Sequence, residues 1–281
     1  MVIDLAGGSD KLILGDFDNT LSIANVETVV GGASADLVTL TAQSTAASID
    51  LGGGDDALTL GAFINTVTVS NAETITGGST NDTVTLGAQS TGATIDLAAG
   101  LDKLILGAFV NTVTVSNVET ITGGSTNDTV VFGAAVTGAT LDLGAGLDTL
   151  TFDSTGATVT IANVETVTGS AATDEVTLSN QVTGAEIDLA GGDDAVVLGA
   201  FLNTVTLSNV ETITGGGSTD TVTLGAAATG ATIDLAGGFD SLTLGDFDNT
   251  VTVSNVETLT GGASSDIVVV GAQMLRGVYD L

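Results

Sequence analysis

The chain repeats itself every 46 residues without gaining or losing one. Aspartates that precede Leu fall at Asp4, Asp50, Asp96, Asp142, Asp188, Asp234 and Asp280. The glutamates of an N-V/A-E-T phrase keep the same step at Glu27, Glu73, Glu119, Glu165, Glu211 and Glu257. Two further acid columns do so too: Asp10, Asp56, Asp102, Asp148, Asp194 and Asp240, and Asp36, Asp82, Asp128, Asp174, Asp220 and Asp266. A period held to the residue demands that each unit register against the next, because one insertion would throw every later column out of line. The repeats run 4–49, 50–95, 96–141, 142–187, 188–233 and 234–279, and residues 274–281 depart from the pattern.

Local alternation supplies the secondary structure. Val84 and Leu86 alternate with Thr83 and Thr85, and Val113 and Val115 with Thr112 and Thr114. A period of two with β-branched residues predicts strands, here separated by Gly-rich corners. Within one unit, LGAFVNTVTV from Leu106 aligns with LGAQSTGATI from Leu86, which predicts two turns of about 20 and 26 residues. The expectation is an all-β chain: a single parallel β-solenoid of about 12 coils over residues 1–281, roughly 58 Å long at ~4.8 Å per coil. Leu12, Leu58, Leu104, Leu150, Val196 and Leu242 form one predicted interior column; Val67, Val113, Val159, Val205 and Val251 form another. Phe17, Phe63, Phe109, Phe201 and Phe247 share a corner position, where the fourth unit has Thr155. Phe132 and Phe152 are expected to fill the volume Thr155 leaves.

Composition then excludes function classes. There is no Cys, so neither disulfides nor thiolate metal sites are available. The formal charge is -31, and Lys11, Lys103 and Arg276 are the only basic side chains. Nucleic acid and anionic membrane are therefore poor partners. No apolar run approaches the ~18 residues of a membrane span. The chain opens directly on a repeat phrase with no basic, apolar leader, which reads as an excised fragment or as a protein exported by a signal outside this stretch.

The acids gather at corners such as LGGGDD, ending at Asp56, and TGGSTND, ending at Asp128. Stacked coils would place all of these corners along one edge. Carboxylates ~4.8 Å apart repel by roughly 0.9 kcal/mol per pair even in bulk water. A hard cation would reverse that sign, and Ca²⁺ suits flexible all-oxygen sites. These corners resemble the calcium-binding RTX repeats of secreted bacterial proteins, nonapeptides of the form G-G-x-G-x-D-x-U-x. Residues 123–131 fit except for Thr126, and residues 77–85 fit with the same lapse. The resemblance implies Ca²⁺ ligands at Asp10, Asp36, Asp56, Asp82, Asp102, Asp128, Asp148, Asp174, Asp194, Asp220, Asp240 and Asp266. It implies backbone ligands around Gly77, Gly78, Gly123, Gly124, Gly215 and Gly216, and around Gly54, Gly100, Gly146, Gly192 and Gly238. It departs from the family in its 20- and 26-residue spacing and in leaving the second edge without a motif. A solvated column of turn-forming Asp is the competing reading. The Asp96-type and Glu119-type columns are expected to face outward for solubility and edge protection.

Acid pairs such as Asp55/Asp56 and Asp193/Asp194 could serve acid–base chemistry, but an active site rarely comes in repeated copies, and no enzyme is expected. The resemblance implies a non-catalytic rod, a calcium-binding segment of an adhesin, surface-layer protein or exoprotein. The alternatives are an ice- or surface-binding solenoid with outward Thr rows, such as Thr66/Thr68 and Thr112/Thr114, and an artificial scaffold without ion dependence. Calcium ions are the expected partners, with end-to-end self-association a risk at an uncapped end. Met274, Leu275, Arg276 and Tyr279 read as a cap, a dimer contact or a sequence change of no significance.

Overall fold

A computed structural model describes residues 1–272 and 277–280. It shows an all-β chain in which two parallel sheets form a β-solenoid. Consecutive strands alternate between the sheets, so one winding is two strands and two corners. The chain divides into two compact units: Met1–Ala134 with Ala139–Gly146, and Ala135–Gly138 with Leu147–Leu281.

Each 46-residue repeat contains five strands, not four. In the second repeat they are Ala57–Thr59, Thr66–Ser70, Thr74–Thr76, Thr83–Leu86 and Thr91–Asp96. The repeat is thus two and a half windings, and the 31 strands among the described residues make more windings than the twelve expected. The 26-residue turn hides an extra half-winding, because residues 71–73 form a tight corner and Thr74–Thr76 a short strand. The corner turns on Asn71, whose φ is 54°; Asn25, Asn117, Asn163, Asn209 and Asn255 repeat that left-handed conformation. Asn tolerates it better than most residues because its short side chain bonds locally. Here Asn71 and Asn117 donate from Nδ2 to Oδ1 of Asp50 and Asp96, at 2.6 and 2.7 Å. The Asp96-type acids are therefore turn anchors as well as surface charge, since Oδ1 of Asp96 also accepts the Ala98 N–H.

The core lies between the sheets. In the first unit one sheet stacks Val67, Val84, Leu104, Ile121 and Leu141 in register. The other stacks Leu58, Ile75, Ile95, Val115 and Phe132. All ten are buried. The second unit repeats the plan with Val159, Val176, Val196, Ile213, Ile233 and Val253 in one sheet. Residues 46 apart do not stack directly, since five is odd and each repeat enters on the opposite sheet from the last. Most of the predicted interior Leu and Val are buried, but the Phe corner is not. Phe17 is 76 % exposed and Phe63 40 %. Thr155 occupies the same exposed corner, so Phe132 and Phe152 are buried for another reason: Phe132 takes an inward position of the strand Thr129–Phe132, and Phe152 an inward position directly after the strand Thr149–Thr151. Met274, Leu275 and Arg276 lie outside the described residues, while Tyr279 pairs with Leu259 and is exposed.

Candidate functional site: the corner ladders

The strands of each sheet start at opposite edges of the winding. Asp102 precedes Lys103–Ile105 in one sheet, and Asp128 precedes Thr129–Phe132 in the other. The acid corners therefore occupy both edges, and the single rim expected from the sequence does not exist. On one edge of the first unit stand Asp36, Asp56 and Glu73; on the other stand Asp82, Asp102 and Glu119. In the second unit Asp174, Asp194 and Glu211 share one edge, and Asp220, Asp240 and Glu257 the other.

Along each edge these side chains form a ladder of main-chain to side-chain hydrogen bonds. The Ser44 N–H donates to Oδ1 of Asn65 at 3.0 Å, and the Asn65 N–H to Oδ1 of Asp82 at 2.9 Å. The Asp82 N–H donates to Oδ1 of Asp102 at 2.6 Å, and the Asp102 N–H to Oε2 of Glu119 at 2.7 Å. The second unit repeats the motif: Val182 to Asn203, Asn203 to Asp220, Asp220 to Asp240, and Asp240 to Glu257. Each acceptor caps a strand-start N–H that the corner geometry leaves without a sheet partner, the kind of group that cannot stay unpaired when buried. The Glu column, expected to be solvating, is thus the last rung of each ladder. The Asn rung is a functional residue the sequence reading missed. Asn65, Asn111, Asn203 and Asn249 keep the 46-residue step, which was the available signal, and Ala157 breaks it in the fourth repeat.

These Asp residues are nearly inaccessible: Asp102 is 1 % exposed and Asp220 0 %. One carboxylate oxygen is spent on the ladder. The other is buried without a hydrogen-bond partner in Asp36, Asp56, Asp102, Asp194, Asp220 and Asp240. Burial pushes the carboxyls of Asp102, Asp194 and Asp240 up to about 6, with the flanking acids adding to it and the ladder N–H opposing it. Asp56 is raised for the same reasons, and Asp128 by burial. The middle rung, flanked by acids on both sides, is where proton release is hardest.

A calcium cage needs six to eight oxygens. Among the described residues, no group of three or more His, Cys, Asp or Glu comes together as a metal site. The loop glycines are used in packing: a Cβ on Gly78 would sit 1.9 Å from the Gly61 carbonyl oxygen, and one on Gly124 1.8 Å from that of Gly107. Gly78 and Gly124 also turn carbonyls to main-chain donors, Ala99 and Ala145. The corners as built are hydrogen-bonded strand caps. Of the sequence-adjacent pair, Asp55 is exposed and Asp56 buried in the ladder, so the two do not share one environment. The outward Thr rows are short: Thr83 and Thr85 pair with Thr66 and Thr68 on one side but with Lys103 and Ile105 on the other.

The fold and its edges define the chain as a parallel β-solenoid with side-chain ladders at its corners. No protein-family model matches it, and no curated protein does.

Proposed function

We propose that the chain is a non-catalytic structural solenoid, a spacer segment of a large extracellular bacterial surface or secreted protein. The observation that carries this is where the acids go. The Asp and Glu side chains that could have served chemistry are committed, rung by rung, to capping main-chain N–H groups. The interior is filled by continuous apolar columns, which stabilise by roughly 25 cal/mol per Å² buried.

A second reading makes the segment a calcium-folded relative of the RTX repeats. The buried, unpartnered Oδ2 atoms favour it, because such an oxygen calls for a proton or a cation. One experiment separates the two: thermal unfolding in EDTA, with and without millimolar Ca²⁺. An unmoved melting temperature identifies a solenoid held by its own hydrogen bonds. A sharp fall in EDTA that Ca²⁺ restores assigns folding to the ion, since binding free energy then becomes folding free energy. Chelator-insensitive cleavage of a glycan would overturn the non-catalytic reading.

A further inference from the structure

The outermost strands present open edges and uncovered inward side chains. Among the described residues, Val2–Asp4 and Lys11–Ile13 stand first in their sheets and pair only with Asn19–Ala24 and Thr28–Val30. Ile3 and Leu12 are half-buried and Leu5 is exposed, in positions where Ile95, Leu104 and Leu97 are sealed. In the last repeat Val270 is 57 % exposed, against 1 % for Phe132 in the same place. Val278–Asp280 is exposed at all three residues.

The repeat decides what fits such an edge. Val278–Asp280 is the same rung as Val2–Asp4, 276 residues on, which is six times the 46-residue step. It pairs with Thr258–Thr260, Val278 opposite Thr258 and Tyr279 opposite Leu259. The Val278 N–H donates to the Glu257 carbonyl at 2.8 Å, and the Gly261 N–H to the Asp280 carbonyl at 2.6 Å. Inside the array the Thr94 N–H and the Asp96 carbonyl make the same two bonds, with Glu73 and Gly77. In the first strand the matching groups are the Val2 N–H and the Asp4 carbonyl. They face the open edge, because the Met1 carbonyl and the Leu5 N–H are the groups bonded to the neighbouring strand.

We propose that a second copy of this chain takes the place of Val278–Asp280, its Val2–Asp4 pairing with Thr258–Thr260 and its Lys11–Ile13 with Ile267–Val270. The contact continues the one that already joins repeat to repeat. The second copy's Ile3 stacks on Leu259 and its Leu12 on Val268, as Ile95 stacks on Ile75 and Leu104 on Val84. The Asp266 N–H meets Oδ1 of the second copy's Asp10, as the Asp82 N–H meets Oδ1 of Asp102. A three-residue strand exposed throughout gives way to an end that brings two strands and covers Val268 and Val270, so apolar burial favours the exchange. Two different surfaces meet, so the contact is heterologous and leaves an open edge for the next copy.

Sedimentation of the full chain over a concentration series tests this. The wild type should grow in mass with concentration and pass beyond a dimer. Val2→Pro removes the N–H meant for the Glu257 carbonyl, keeps the Met1 and Leu5 bonds, and should stay monomeric. Val2→Thr, which installs the residue found at Thr94, keeps that N–H and should assemble like the wild type. Val278→Pro loosens the resident strand and should assemble at up to about tenfold lower concentration, the worth of one competing hydrogen bond. Val2→Cys combined with Thr258→Cys reads the register. Exchange sets these positions opposite each other across copies at the ~4.8 Å of paired strands, so oxidation should give disulfide-linked multimers. A wild type that stays monomeric throughout the series overturns the proposal, as does assembly that Val2→Pro leaves unchanged. Assembly without the disulfide link overturns it too, since the second copy would then lie beyond Val278–Asp280 or on another surface.

Discussion

Asn65 holds the corner of its repeat through side-chain hydrogen bonding to four partners, and truncating it tests the ladder directly. Oδ1 accepts the Ser44 N–H at 3.0 Å. Nδ2 donates to the carbonyls of Leu60 and Phe63 at 3.1 and 2.7 Å, and to Oδ1 of Asp82 at 3.0 Å. The residue is fully buried, so water cannot replace these partners without opening the corner. Nδ2 shares two hydrogens among its three acceptors, so at a net ~1 kcal/mol per bond made Asn65→Ala should cost about 3 kcal/mol locally. Asn65→Asp sharpens the test. It keeps the Ser44 acceptor but points a carboxylate at Asp82 across the 3.0 Å now spanned by a hydrogen bond. At an effective dielectric near 20 that repulsion is roughly 5 kcal/mol, enough to force a proton onto the pair. Asn65→Asp should therefore be worse than Asn65→Ala at neutral pH and should recover part of the loss near pH 4. Repeat arrays need not unfold as one cooperative unit, so the readout is amide hydrogen exchange of the peptides spanning residues 41–50 and 60–86. If Asn65→Ala exchanges within about 1 kcal/mol of wild type, or Asn65→Asp is the milder variant at neutral pH, the ladder is not what holds the corner.

Three further outcomes follow from the same geometry. The carboxyls of Asp102, Asp194 and Asp240, raised to about 6 from an ordinary 3.8, bind protons in the folded chain at pH values where the unfolded chain has released them. Stability should rise as pH falls from about 7 towards 4, the melting temperature near pH 4.5 should exceed that near pH 7.5, and Asp102→Asn should flatten the profile. A steady fall in melting temperature over that range would contradict the burial of these groups. Asp4 has the opposite sign, because the Asn25 and Ala6 hydrogen bonds lower its carboxyl, and its contribution is lost only below the ordinary value. Gly216→Ala should cost about 1–3 kcal/mol or more, since its Cβ would lie 1.7 Å from the Gly199 carbonyl oxygen, whereas Gly217→Ala meets nothing within 4 Å and should be near neutral in the same denaturant titration.

The sequence announced its period, its strand type and most of its core through alternation alone. Val84, Leu104 and Val113 are buried where the pattern of two places them. It concealed the parity of the repeat. Thr74–Thr76 is three residues long, too short for alternation to stand out, and the corner before it carries no Gly. The left-handed residue there is Asn71, which does the conformational work usually read from glycine. One missed half-winding shifts every later assignment to the opposite edge, which is why a single acid rim was expected. The ladder was invisible for a related reason. Its partners sit 17, 20 or 21 residues apart, at intervals set by the unequal corner lengths and not by the 46-residue step.

That parity also answers the electrostatic problem the composition poses. Four strands per repeat would return every Asp corner to one edge and build a long carboxylate column, which would call for a counter-ion. Five strands send alternate repeats to alternate edges. Along one edge of the first unit the rungs then read Asp36, Asp56, Glu73, Ser90, Asn111 and Asp128. The acids come in short runs interrupted by two neutral rungs, so Glu73 and Asp128 are three intervals apart, about 14 Å at ~4.8 Å per rung. At three times the rung spacing their Coulomb repulsion is about a third of that between adjacent acid rungs. Repulsion is thereby concentrated within each run, where it falls on the middle rung. A single proton on Asp56 or Asp102 relieves it, and those are groups whose carboxyls are held above the ordinary range. A chain this acidic can stack its windings by distributing charge between edges and holding protons at fixed rungs.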